Sequence, residues 1–228
     1  MGIIQRCNIN GLGLLKAVKG HSHRAHKVFC IGRNKTGTTS VDAALRDLGY
    51  RVAPQESAEM LLQEWSKRDF NKLKRYCLRY DAFQDVPFSY PFTFQEMDQA
   101  FPNAKFVLTV RDSAEEWHRS VSSYHAKLFS AGPRATAEEL KQAKYCYDGY
   151  MWDCQRLLYG IDEGQEYDLE IYKAHYEAHN AAVIDYFRWR PEKLLVLNVK
   201  EERAYWKLAN FLGQSVPVDA QFPWENKT

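Results

Sequence analysis

The stretch Lys27-Val-Phe-Cys-Ile-Gly32, Arg33-Asn-Lys-Thr-Gly-Thr-Thr39, Ser40-Val-Asp-Ala-Ala-Leu-Arg-Asp-Leu48 decides the reading of this chain. Its first six residues hold a short apolar run, Val28 to Ile31, closed by glycine, the pattern of a buried strand. The last nine place Val41, Ala44, Leu45 and Leu48 on one helical face, and Gly49 stops the helix. A helix entered in this way leaves its first N–H groups without intrahelical acceptors, and its dipole adds partial positive charge there. Gly37 lets the backbone approach an anion closely, Lys35 supplies a full charge, and Thr36, Thr38, Thr39 and Ser40 supply hydroxyls. The loop is an oxyanion cradle.

Working outward, residues 105–110 form a continuous apolar run that suits a parallel strand buried on both faces, and residues 194–198 form another. Helical patterns cover residues 58–67, 70–79, 114–129, 168–189 and 201–212. Thr93 is expected to cap a short helix ending near Phe101, and Thr136-Ala-Glu-Glu139 has the spacing of a capping box that opens a Tyr- and Cys-rich helix. Three strand–loop–helix units predict an α/β fold, a P-loop-like parallel sheet flanked by helices. The expected organisation is a basic arm over residues 1–26 and a single domain over 27–228.

Bulk properties narrow the functional classes. A chain of 228 residues that is 45% hydrophobic and 26% charged has the composition of a globular domain. A net charge of +2 is too small for a nucleic-acid footprint, so any anion site is local. Five cysteines, Cys7, Cys30, Cys77, Cys146 and Cys154, show no metal-ligand spacing and point to reduced thiols in a cytoplasmic setting. No apolar run reaches the roughly 18 residues of a membrane span. Residues 1–26 lack a secretory cleavage pattern, and Arg6 stands where a myristoylation signal needs Ser or Thr. Peripheral contact with an acidic membrane surface is the one membrane role this arm leaves open.

The cradle differs from the nucleotide triphosphatase loop, in which Lys directly follows the second Gly. Here Thr38 follows Gly37, and the lysine precedes it by two. Lys35-Thr36-Gly37-Thr38-Thr39 instead resembles the 5′-phosphosulfate loop of small, bacterial-type sulfotransferases that use 3′-phosphoadenosine 5′-phosphosulfate (PAPS). Phe106-Val-Leu-Thr-Val-Arg111 with Trp117-His-Arg-Ser120 resembles that family's second signature, where a strand-end Arg and a helical Ser hold the 3′-phosphate. The serine lies nine residues after Arg111 where the family has eight; the eighth is Arg119, and Ser123 shares the helical face of Ser120. The tail, with Phe211-Leu-Gly213, Val216-Pro217 and Phe222-Pro-Trp-Glu-Asn226, is similar to the same group.

The resemblance implies a helical insert forming the acceptor side, PAPS as co-substrate, 3′,5′-ADP as product, no metal, and a hydroxyl acceptor that is a small molecule, glycan or lipid headgroup. It implies Lys35 beside the leaving oxygen and Asp85, in Asp81-Ala-Phe-Gln-Asp85-Val-Pro87, as the base. Asp81 is the rival base. His118 and His125 are read as surface or capping residues, His175 and His179 as half-exposed packing, and the aromatics between Tyr145 and Tyr172 as core. Two other readings stand beside this one: an atypical P-loop kinase or NTPase, and a catalytically silent nucleotide-binding protein. A strand ending in Asn198 rather than Asp weighs against the kinase.

Overall fold

The computed structural model describes residues 26–223. The expected arm, His26 apart, and the tail beyond residue 223 lie outside them. Numbered in chain order, the elements are β1 (Val28–Cys30), α1 (Thr38–Asp47), α2 (Gln55–Glu59), α3 (Leu62–Ser66), α4 (Asn71–Cys77), β2 (Ala82–Gln84), α5 (Thr93–Ala100), β3 (Lys105–Thr109), α6 (Ala114–Phe129), α7 (Ala137–Gln142), α8 (Tyr150–Tyr159), α9 (Leu169–Phe187), β4 (Leu194–Leu197) and α10 (Ala204–Phe211).

The four strands form one parallel sheet in the order β2-β1-β3-β4. Period-2 alternation divides its residues between two cores. Val28 and Cys30 of β1 and Val107 of β3 pack with Val41, Ala44 and Leu45 of α1 and Leu208 of α10. Phe29, Ile31, Phe83, Phe106 and Leu108 face the other way, toward α6, α8 and α9. Phe29 stacks there on Phe83 at 4.8 Å and on Phe106 at 5.5 Å. Burial on both faces explains why the strands read as continuous apolar runs.

The strand order positions the site. From β1 the chain crosses to β2 on one side, and from β3 it crosses to β4 on the other. The carboxyl ends of β1 and β3 therefore flank the switch point, where open α/β sheets form their ligand crevice.

Several elements depart from the sequence expectation. β2 was not expected as a strand, because its three residues lie between turn-forming residues and carry no alternation long enough to see. The run at residues 194–197 is an edge strand with Val196 44% exposed, so an apolar run alone did not reveal whether its second side was paired. Thr93 is the first residue of α5 rather than its cap, a position held by Phe92 in left-handed backbone. The Thr136 capping box forms as expected, but the helix it opens ends at Gln142, and α8 begins separately after Gly149.

Candidate active site

Gly32 ends β1 against β3 so closely that a Cβ there would stand 2.0 Å from Thr109 Oγ1 and 2.4 Å from its carbonyl oxygen. The loop that follows is tied down residue by residue. Arg33 Nη1 donates to the Ser89 carbonyl at 3.1 Å, and Trp117 Nε1 to the Asn34 carbonyl at 2.9 Å. Arg111 Nε donates to the Lys35 carbonyl at 2.7 Å. Thr36 Oγ1 donates to the Arg33 carbonyl at 2.5 Å and lies 2.5 Å from Thr109 Oγ1. Gly37, at φ 101°, caps α1 where a Cβ would meet Val199 Cγ2 at 2.6 Å.

These ties separate the loop's residues by role. Thr36 is fully buried, outside the cavity lining, and its hydroxyl braces the loop rather than pointing into the cavity. Lys35, Gly37, Thr38, Thr39 and Ser40 line a cavity of about 570 Å³, together with Asp85 and Arg111. The opening turn of α1 therefore ends in this cavity, with the N–H groups that a helix cannot pair internally.

Lys35 and Asp85 both occupy left-handed backbone, at φ 64° and 57°. For non-glycine residues that conformation is uncommon, and it persists only where the surroundings enforce it. Lys35 Nζ sits 3.7 Å over the ring of Tyr124. Burial, and then the charge of Arg111, hold its pKa below the ordinary lysine value. Thr38 Oγ1 donates to Asp85 Oδ2 at 3.3 Å, which fixes the carboxyl at the N-terminus of α1. Burial raises the Asp85 pKa to about 6, against the lowering influence of Thr38, the Val86 N–H and Lys35.

A second cavity of about 270 Å³ brings Arg111 together with Ser120, and adds Arg119, Ser123 and Lys127 from α6. Ser120 and Ser123 share this cavity, as their common helical face implied. Arg111, Tyr124 and Lys200 line both cavities, so the two are contiguous. Arg111 is anchored on its own backbone side by Tyr176, whose hydroxyl accepts from the Arg111 N–H at 3.0 Å.

The remaining sequence candidates fall elsewhere. Asp81, the rival base, is buried and accepts from the Arg51 N–H and Nε, outside the cavity lining. His118 and His125 are buried rather than superficial, hydrogen-bonded to the Tyr167 carbonyl and hydroxyl respectively. His125 does line the cavity, but burial depresses its pKa to about 4. His179 is likewise buried, not half-exposed; its Nε2 donates to the Ile31 carbonyl at 2.8 Å. The aromatic stretch is core as expected, yet Tyr145, Tyr150 and Tyr159 also line the cavity. Cys30, Cys77, Cys146 and Cys154 are buried.

Sequence reasoning missed several charged cavity residues, Glu59, Arg33 and Lys200 among them. Glu59 sits on α2, a five-residue helix with no motif around it, and burial with the nearby Asp85 charge raises its pKa to about 7. Arg33 lies inside the loop that was read, but nothing in the pattern indicates that its side chain turns inward.

No helix among the described residues is long and apolar enough to cross a membrane. A search of curated proteins finds no match. The model of the family described as the sulfotransferase domain matches residues 27–228, which takes in the loop, both cavities and every strand. The chain belongs to the sulfotransferase family.

Proposed function

We propose that the protein transfers a sulfuryl group from PAPS to a hydroxyl acceptor and releases 3′,5′-ADP. The observation that carries this reading is the pair of contiguous cavities joined through Arg111. One end offers a helix N-terminus with Lys35. The other clusters Arg111, Arg119, Lys127 and Lys200 with Ser120, Ser123 and one carboxylate, Glu116, which pairs with Arg111 and Lys200, at the end of a different strand. A ligand with one oxyanion group at each end of a nucleoside suits this arrangement better than a linear triphosphate, whose charge lies at one end.

The donor supplies an activated sulfuryl group on its 5′-phosphate. Residues 37–40 and Lys35 would bind that end. Lys35 would stabilise the negative charge that develops on the bridging oxygen as its bond to sulfur breaks. Arg111, Ser120 and their basic neighbours would hold the 3′-phosphate. Asp85 would accept the acceptor's hydroxyl proton while that oxygen forms its bond to sulfur. Its position at the α1 N-terminus favours Asp85 over Asp81, and a pKa near 6 leaves it ionised at neutral pH yet more basic than an ordinary aspartate. Positioning and charge stabilisation account for the rest, as in phosphoryl transfer.

Incubation with PAPS and a mixed panel of alcohols, phenols and sugars, followed by mass analysis, tests this. The reading requires 3′,5′-ADP together with an acceptor heavier by one sulfuryl group. ATP-dependent phosphorylation of the same panel would replace it with a kinase reading.

A further inference from the structure

Arg33 is 1% exposed and lines the larger cavity. Its Nη1 is used by the Ser89 carbonyl, but Nε and Nη2 have no hydrogen-bond partner among the described residues. Nε–H and one Nη2–H lie on the same edge of the guanidinium, the side-on fork that matches the two oxygens of a carboxylate. Among the described residues no carboxylate forms an ion pair with it. A buried cation with an unused donor edge is strongly unfavourable unless something completes it.

We infer that the acceptor is a hydroxy acid, a hydroxyl compound whose carboxylate is held side-on by Nε and Nη2 of Arg33. This rests on the sulfotransferase reading and names the substrate class of the same site. Three considerations favour the acceptor over the donor as the carrier of the carboxylate. The donor's two anionic groups already have proposed partners, Lys35 with the α1 N-terminus and Arg111 with Ser120. Ser89, whose carbonyl accepts from Nη1, follows Asp85 by four residues, and the Asp85 charge acts on Arg33, so the guanidinium lies close to the proposed base. Tyr90, Tyr150, Met151, Leu158 and Tyr159 also line the cavity, an apolar and aromatic surround for the acceptor's body.

Lys35, Arg111 and Lys200 also line the cavity, but they are assigned to the donor, and the cavity's two carboxyl groups favour a monoanion beside Arg33. Asp85 and Glu59 line the same cavity and would repel a dianionic phosphate more than a carboxylate. His175 and His179 lie near Arg33; burial, and then the Arg33 charge, depress both pKa values, so they add no competing cation.

The test uses the full chain saturated with 3′,5′-ADP, which occupies the other anion sites. 4-Hydroxyphenylacetate and its neutral amide are titrated by calorimetry, and the Arg33 Nε–H signal is followed by NMR in arginine-labelled protein. The acid should bind at least about tenfold more tightly than the amide, as expected for a charge-assisted pair, and should move the Arg33 signal. Arg33→Gln should abolish the preference, and Arg33→Lys should retain part of it. Equal binding of acid and amide, no binding of either, or a preference that survives Arg33→Gln would overturn the inference. If the Gln variant does not fold, the Arg33 signal in the unaltered protein decides alone: a static signal overturns it. Failure of 3′,5′-ADP itself to bind would remove the sulfotransferase reading and this inference together. Nucleotide binding without discrimination between acid and amide removes only the inference.

Discussion

Arg111 Nε donates to the backbone carbonyl of Lys35 at 2.7 Å, so the arginine just past β3 holds in place the lysine of the loop between β1 and α1. The residue proposed to bind the 3′-phosphate thus also sets the loop that would face the sulfuryl group. Arg111→Lys keeps the charge but loses the Nε donor and the planar fork. Its affinity for 3′,5′-ADP should fall by at least about tenfold, with loss of one charge-assisted contact as the cause. Its kcat should also fall, because Lys35 is no longer held. Calorimetry and steady-state kinetics separate the two effects.

The Asp85 assignment fixes a pH profile. A base must be ionised, so kcat should rise through a limb near pH 6, the value to which burial lifts this carboxyl. The upper limb should appear below the ordinary lysine range, where Lys35 loses the proton that makes it a useful donor. Asp85→Asn should remove the lower limb and reduce kcat by roughly 10²–10⁴.

The same shift makes a stability prediction of opposite sign. The folded pKa of Asp85 lies above its unfolded value, so the folded state favours the proton. Below the unfolded value the carboxyl is neutral in both states and its burial carries no charge penalty. The penalty grows as pH rises toward about 6 and is complete above it. Asp85→Asn should therefore raise Tm at pH 8 by several degrees and leave it nearly unchanged at pH 4, measured by calorimetric melting.

Loop residues should divide into braces and contacts. Thr36→Val removes the bonds to the Arg33 carbonyl and Thr109, and should destabilise the fold by about 1–3 kcal/mol in denaturant unfolding. Ser120→Ala should leave stability within about 0.5 kcal/mol and weaken 3′,5′-ADP binding several-fold, with 5′-AMP binding unaffected. Gly32→Ala has no tolerable version, because its Cβ would enter the backbone of Thr109. Soluble, folded Gly32→Ala protein would contradict the described packing of β1 on β3.

Strands β1, β3 and β4 and the loop were legible because they depend on local pattern. An apolar run ended by Gly32 and a glycine at position 37 before an amphipathic helix carry their own physical reasons. The acceptor side was not legible, because it is assembled from distant pieces. Glu59 on α2, Tyr150 and Tyr159 on α8 and Arg33 at the end of β1 meet only after folding. The histidines misled for the same reason: nothing in the helical pattern of residues 114–129 or 168–189 shows that His118, His125 and His179 point into the core.

The most direct test of the central claim is calorimetric titration with 3′,5′-ADP, 5′-AMP and ATP, repeated on Arg111→Ala. The account predicts tight binding of 3′,5′-ADP that Arg111→Ala weakens strongly, weaker 5′-AMP binding that it barely changes, and little response to ATP with or without Mg²⁺. Absence of 3′,5′-ADP binding alongside Mg²⁺-dependent binding of ATP would contradict it.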